Sequence, residues 1–540
     1  MQFDPVLLHD WLSRTARRYP VKTALISRGQ RLTYHEVEEK SSHLASALVL
    51  MGFRKGDRAI ICLDNSPQAV ISIYGILKAG GVFIILEPRS PWPVINSVIE
   101  DSGARLLITY RRKLSQKEDF KPSSEDLQII VVDGSQAPPR IFPKALNFSG
   151  LTEKLSVDVR LPRLLENDLA CLVYTSGSTG KPKGIICTHH NMVTAARSII
   201  QYLGNTRDDI ILDVLPLSFD YGLYQVLMCF MFGGTLVLEP SFAYIQDILA
   251  AIEKEKVTGF PIIPSISALL LRLKNFPQKQ LGSLRYITNT GAAWPVSHIR
   301  RLRELLPGVK LFSMYGLSEC KRVSYLPPEL IDKHPDSVGI PMPGLEVVIV
   351  DRRGKPVEAG KPGQLLVRGP TVMQGYWRDK KLTRRVFRSG RYPEDRWLYT
   401  GDIFRQDENG LLYFVGRRDR QIKSYGHRIN LAEVEKVISG LEGIVEVAAV
   451  PVPDEIGGAV VGVFVAARKG IKLDENSIRH HCQQNLEPYK IPRLICLMNS
   501  LPRTTNGKIN YKKLMSSLKK GKPGKKPVSQ EKGRGAVMNI

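Results

Sequence analysis

Between about Thr23 and position 330 the sequence alternates short, unbroken apolar runs with stretches of helical spacing, and few architectures accept that alternation. "TALIS" (23–27), "AIICL" (59–63), "LLITY" (106–110), "IIVVD" (129–133), "TLVLEP" (235–240) and "VTGFPIIPS" (257–265) read as buried strands. "TYHEVEEKSSHLASALVLMG" (33–52) reads as a helix, with Thr33 as its N-cap and Gly52 as its stop. Strands and helices in turn predict an α/β fold of layered, mostly parallel sheets.

The pattern changes at "LEVVIVDRRGKPVEAGKPGQLLVRGP" (345–370), where short strands around Gly and Pro turns predict an antiparallel or barrel-like subdomain. The charged run "GRRDRQIK" (416–423) then breaks the apolar patterning, and a smaller α/β pattern follows in "LAEVEKVISGL", "VEVAAVPVPD" and "VVGVFVAA". A boundary near Arg418 therefore divides a large N-terminal domain, 1–417, from a mobile C-terminal domain, 418–516. The Gly/Pro/Lys-rich stretch 517–540 reads as a disordered basic tail.

With 540 residues, 43% of them hydrophobic, the chain can build two or more cores. Its net charge of +25 favours anionic partners, but seven Lys or Arg against one Glu fall in the last 24 residues, and no aromatic interleaving points to specific nucleic-acid recognition. The seven cysteines form no CxxC pair and fit a reducing, cytoplasmic compartment. "YGLYQVLMCFMFGGTLVL" (221–238) lacks charge, but its Gln225 and Gly233-Gly234 break fit a buried helix, a turn and a strand better than a membrane span. No secretory signal is visible at the N-terminus.

The polar loop "YTSGSTGKPKG" (174–184) stands behind the apolar run 169–173 and ahead of the helical pattern "HNMVTAARSIIQYL". A strand, a Gly-rich turn and a helix fit a phosphate site, where backbone N–H groups, hydroxyls and lysines converge on anionic oxygens. The Walker rule fails, since Pro182 stands where a glycine is needed. A flexible linker accounts for the composition equally well.

Four further stretches follow in order: "MYGLSE" (314–319), "YTGD" (399–402), "GRRDRQIKSYGHRINLAEVE" (416–435) and "PRTTNGKI" (502–509). With the loop, they resemble the signatures of the adenylate-forming superfamily of acyl- and aryl-CoA ligases, nonribosomal peptide adenylation domains and luciferases. That resemblance implies ATP-dependent conversion of a carboxylic acid to an acyl-adenylate, release of pyrophosphate, and transfer to the phosphopantetheine thiol of CoA or a carrier protein. It further implies that Thr175, Ser176, Gly177, Ser178, Thr179, Gly180 and Lys183 hold the phosphates, and that Glu319 binds Mg2+. Gly291, Ala292, Ala293, Tyr315 and Gly316 would form the adenine slot, with Ser318 standing where the family usually has Thr. Asp402 would take the ribose hydroxyls, with Arg417 at ribose or phosphate and Arg428 at the adenylate phosphate or the thiol substrate. Lys508 would be the catalytic lysine, Asp419 the hinge, and Gly426 part of the thiol-acceptor surface. Taken singly, Asp402 or Glu319 reads as a solvated carboxylate and Lys508 as an exposed turn residue.

Substrate choice is implied by "LPLSFDYGLYQ" (215–225), where many CoA ligases carry PLFHxxG. Phe219 replaces the gate histidine. Asp220 matches the aspartate with which amino-acid-activating domains hold an ammonium group, or else it caps the following helix. Family positions place Phe219, Asp220, Tyr221, Tyr224, Ser265, Thr288, Thr290, Met314, Arg322 and Val323 around the acid. That lining predicts an amino acid or a small polar carboxylic acid rather than a long alkyl chain. "YGLSECKRVSYLPPE" and "LPLSFDYGL" also resemble stand-alone acyl-CoA ligases found beside exosortase systems, where a separate acyl carrier protein is an expected acceptor.

Overall fold

The structure, a computed structural model, describes residues 4–114, 126–133, 145–153, 159–176, 182–390, 392, 395–417, 420–424, 427–454, 458–468, 471, 473–486, 490–504 and 507–519. The chain divides into two compact units, 1–414 and 415–540.

The first unit is built on two large mixed sheets. In one, the parallel strands Thr23–Ser27, Thr235–Leu238, Ile210–Asp213, Gly259–Ile262, Tyr286–Asn289 and Lys310–Tyr315 lie side by side, with antiparallel strands at both edges. In the other, Val82–Ile85, Arg58–Cys62, Leu106–Thr109 and Gln128–Val131 are parallel neighbours, and the hairpin Leu169–Ser176 and Pro182–Thr188 lies beyond Val82–Ile85. Side chains from both sheets, among them Leu25, Phe260, Ile61 and Phe83, join one core with the helices Tyr34–Leu50, Pro67–Lys78 and Asp220–Phe232. The parallel strands are largely apolar because most of their residues are buried between layers.

Local chemistry sets the helix ends. Thr33 and Glu36 form a reciprocal capping box, Ser66 caps the helix that opens with Pro67, and Thr188 and Asn191 form a second box. Gly233 takes a left-handed φ of 82° and ends Asp220–Phe232, after which Thr235–Leu238 forms a buried strand, as the uncharged stretch 221–238 predicts. Among the described residues, no helix is long and apolar enough to cross a membrane, and all seven cysteines are free and buried.

The stretch read as antiparallel or barrel-like is an antiparallel sheet, in the order Glu346–Val350, Gly363–Arg368, Arg396–Gln406, Phe387–Ser389, with Leu412–Arg417 also pairing Arg396–Gln406. In the second unit, Gln421–Ser424, Gly458–Ala467, Ile444–Asp454 and Leu494–Met498 share a sheet with their own core of Ile429, Val434, Val463 and Ile478. The helix Tyr511–Lys519 takes up the first three residues of the segment read as a tail, and 520–540 lie outside the described residues. The expected boundary residue Arg418 lies outside them too.

Candidate active site

Four segments of the first unit follow the carboxyl ends of adjacent parallel strands: 214–221 after Ile210–Asp213, 263–265 after Gly259–Ile262, 290–293 after Tyr286–Asn289, and 316–323 after Lys310–Tyr315. Open parallel sheets bind ligands outside these strand ends. Most of the residues expected to hold adenine and substrate fall in this row or on the strands that feed it.

Gly291 turns with φ 88°, and a Cβ there would stand 3.3 Å from Cζ of Phe219. Ala292 and Ala293 beside it are exposed, and Tyr315 is half-buried at the end of the next strand. Its hydroxyl donates to Asp402 Oδ2 at 2.5 Å, while its ring meets Phe404 edge-on with centroids 4.7 Å apart. Asp402 is therefore a buried, oriented carboxylate, not a solvated one. Its own N–H donates to Thr400 Oγ1 within the strand Arg396–Gln406. Gly316 has no room for a side chain, since a Cβ would lie 2.3 Å from the carbonyl oxygen of Lys321 and 3.1 Å from Cα of Arg322. Ser318 is half-buried in the same turn.

Glu319 links this row to the other sheet. Its Oε1 accepts from the hydroxyl of Tyr376 at 2.8 Å, and its carbonyl accepts from the N–H of Met373 at 2.8 Å. Burial first, then the Glu319 charge, pushes the Tyr376 phenol well above its usual range, so it stays a donor. Tyr376 pairs opposite Ile185, two residues from Lys183, and Lys183 lies opposite Thr175.

The polar loop differs from the expected strand, turn and helix. Pro182–Thr188 is a strand antiparallel to Leu169–Ser176, and the helix His189–Leu203 starts only after it. The described residues on either side of it thus lie in paired antiparallel strands, because Ile185 and Cys187 bury their side chains in the core at strand spacing. Gly177, Ser178, Thr179 and Gly180 lie outside the described residues, as does the side chain of Ser176. On these strands, Tyr174 donates to Asp101 Oδ2, and the N–H of Trp377 donates to the Gly184 carbonyl at 2.7 Å.

The substrate positions converge in part. The hydroxyls of Tyr221 and Thr288 are hydrogen-bonded at 2.6 Å, Phe219 stands edge-on to Tyr221, and the guanidinium of Arg322 lies 4.9 Å above the Tyr221 ring. Met314 Sδ accepts from Tyr202, which stacks on Tyr325 with centroids 4.0 Å apart. Tyr224 and Thr290 are buried, and Val323 is buried with its N–H on the Tyr315 carbonyl. Ser265 sits in the first turn of the helix Pro264–Leu271. Asp220 is the first residue of its helix, and the cap position belongs to Phe219 without a side-chain cap bond. The capping alternative for Asp220 is thus absent, although its charge still suits the helix N-terminus.

Lys321 escaped the sequence reading. It is 7% exposed with φ 67°, and burial would lower its ammonium, but Cys187, Asp220 and Cys171 reverse that and hold it well above its usual value. The signal available was "ECKRV", two adjacent cations between the apolar Cys320 and Val323.

In the second unit, Lys508 is exposed after Gly507, whose φ is 74°, and its N–H donates to Thr504 Oγ1 at 3.2 Å. Arg417 is exposed at the end of the strand Leu412–Arg417. Arg428 pairs Lys423 through the backbone, its side chain lying outside the described residues together with Asp419 and Gly426.

The model of AMP-binding enzymes matches residues 12–377, and that of the AMP-binding enzyme C-terminal domain matches 433–508. The chain belongs to the AMP-binding enzyme family. A long-chain-fatty-acid–CoA ligase of Bacillus subtilis (strain 168) is 31% identical over 536 residues, covering 94% of each chain. An anthranilate CoA ligase solved with anthranoyl-AMP shares 27% identity at a TM-score of 0.86, over 96% of this chain and 98% of that one. The o-succinylbenzoate CoA synthetase of Bacillus subtilis, solved with its acyl-adenylate intermediate, shares 27% identity at a TM-score of 0.80, over 95% and 99%.

Proposed function

We propose that the acid activated here is short and polar, and that the enzyme works with magnesium in the cytoplasm. The reaction is that of an AMP-forming acid–thiol ligase. The carboxylate attacks the α-phosphate of ATP, pyrophosphate leaves, and a phosphopantetheine thiol of CoA or a carrier protein then displaces AMP from the acyl carbon. The observation that carries the reading is the bond between Tyr376 and Glu319, which joins the strand-end row to the hairpin bearing Thr175 and Lys183.

The donor set fits both groups. Asp402, oriented by Tyr315, suits a pair of ribose hydroxyls, and the exposed alanines after Gly291 leave a flat wall for a base. Among the described residues no three metal-ligating side chains cluster, so Glu319 would share a magnesium ion with phosphate oxygens and water, the arrangement this ion favours. Such an ion would neutralise charge gathering on the phosphates. Thr175 and Lys183 would position those phosphates, and Lys508 would bridge the acid and the α-phosphate in the transition state. The hinge at Asp419 and the thiol surface at Gly426 rest on motif position, as does the domain division at 417/418.

Arg322 above Tyr221, and the polar pair Tyr221–Thr288, favour a polar acid over an alkyl chain. Asp220 supports a second reading, an amino-acid-activating enzyme that loads a carrier protein in trans. The link to exosortase-associated ligases rests on the two quoted motifs alone. ATP–pyrophosphate exchange across a panel of amino acids, polar acids and fatty acids, followed by AMP release with and without CoA, tests the proposal. Exchange with medium or long fatty acids alone overturns the polar substrate, and exchange with none overturns the enzyme.

A further inference from the structure

Two cations are buried side by side next to the proposed acid pocket. Lys321 and Arg322 are 7% and 4% exposed, and the chain crosses Gly316 at this point, directly behind Tyr315. Arg322 covers the Tyr221 ring, and its Nε and Nη1 make no hydrogen bond among the described residues. Lys321 Nζ makes none either among the described residues, with the weakly accepting thiol of Cys187 and the carboxylate of Asp220 acting on it. Lys321 is also the buried member of the four described non-glycine residues with left-handed backbone; Arg28, Lys256 and Arg378 are exposed.

Buried N–H groups of charged side chains are costly to leave unmade, so such groups mark a place where a ligand or water completes them. The local charge balance identifies the ligand's sign. Asp220 is the carboxylate whose charge acts on Lys321. Asp213, the other carboxyl beside Tyr221, is pushed by burial well above its usual range and offers no counter-charge. Among these groups two cations face one carboxylate, and the Nε and Nη1 of the guanidinium remain unmade among the described residues.

We propose that the substrate carries a second anionic group, as a dicarboxylic acid does, and that this group docks on Arg322 with Lys321 in support while the other carboxylate is adenylated. The inference rests on the reading of the chain as an acid-activating ligase and names the class of acid. It also disfavours the amino-acid reading, because Asp220 then serves Lys321 and not a substrate ammonium. A charged N–H donor meets a carboxylate in a short, charge-assisted bond, and a site built to bond such a group discriminates strongly against an analogue without it.

The test is AMP formation with straight-chain dicarboxylic acids of graded length, each set against its monomethyl ester and the matching alkanoic acid, on the wild type, Arg322→Gln and Arg322→Lys. For the best diacid, kcat/KM is expected to exceed that for its ester by roughly 100-fold or more. Arg322→Gln should lower the diacid-to-ester ratio of kcat/KM by at least about that factor, and Arg322→Lys should recover part of it. Equal use of diacid and ester, or an equal fall on both in Arg322→Gln, overturns the proposal and points to bound water as the partner of these cations. Calorimetric binding of the same acids separates the two failures. Diacid binding that depends on Arg322 without turnover sustains the anionic pocket and defeats the ligase reading. No diacid binding and no turnover defeats both.

Discussion

The hydroxyl of Tyr376 donates to Oε1 of Glu319 across 2.8 Å and so ties the turn after Lys310–Tyr315 to the hairpin that carries Thr175 and Lys183. Glu319→Gln removes the charge proposed to bind magnesium and should slow adenylate formation by roughly 10²–10³. Tyr376→Phe leaves the carboxylate but frees its orientation. A lost bond to a charged group is worth about 1.5–3 kcal/mol, so single-turnover adenylation should slow by at least tenfold. A Tyr376→Phe enzyme as fast as the wild type would show that the contact serves folding alone.

Tyr315 and Asp402 make a second such pair, at the proposed ribose site. Asp402→Asn keeps the shape and a hydrogen-bonding partner for the tyrosine while weakening a charged acceptor. KM for ATP should rise by about 10-fold or more at little cost in thermal stability. An unchanged KM for ATP would move the ribose elsewhere.

The elements built on local chemistry were legible in advance. Thr33 with Glu36, and the apolar spacing behind them, specify the helix Tyr34–Leu50 without help from the rest of the chain. Motif order likewise placed Glu319, Tyr315 and Asp402 together. The strand Pro182–Thr188 was not legible, because a seven-residue run opening on Pro, Lys and Gly has little strand signal until Ile185 and Cys187 meet the core. Tertiary packing decided it. Lys321 was hidden for the opposite reason: a lysine is ordinarily exposed, whereas this one is 7% exposed where the chain passes close over Gly316.

Acid should destabilise the first unit through two facing histidines. Burial, then the charges of His189 and Lys78, lowers His9 to about 3, and burial lowers His189 to about 4 despite the opposing pull of Asp168. Their ring centroids are 5.6 Å apart, and His189 Nδ1 accepts from the Leu8 N–H at 3.2 Å. Because both folded values lie below the ordinary 6.5, the unfolded chain binds protons first as pH falls. The stability is complete above about pH 6.5 and drains away below it, by roughly 2 kcal/mol per histidine at pH 5. Thermal melts from pH 7.5 to 4.5 should show this slope, and His9→Gln should flatten it. A melting temperature level across that range would contradict the assignment.

The second unit depends on a half-buried network. Arg420 donates to both oxygens of Glu435 at 3.1 and 2.6 Å and lies 4.2 Å over the Tyr511 ring, and the Tyr511 hydroxyl donates to the same carboxylate at 3.0 Å. Glu435→Ala leaves Arg420 partly buried without its anion and should cost about 2 kcal/mol. Hydrogen exchange of the strand Ile444–Asp454 reports it directly, since Ala449 N–H donates to Glu435 at 2.6 Å. Unchanged protection there would reduce the network to a surface ornament.

Lys508 is the most direct test, since it is exposed in a polar turn of the second unit and has no role in either large core. Lys508→Ala should leave the melting temperature within a degree or so, as surface substitutions do. Acid-dependent ATP–pyrophosphate exchange in the same protein should fall by roughly 10²–10³. Exchange at the wild-type rate would contradict the adenylating role assigned to this chain.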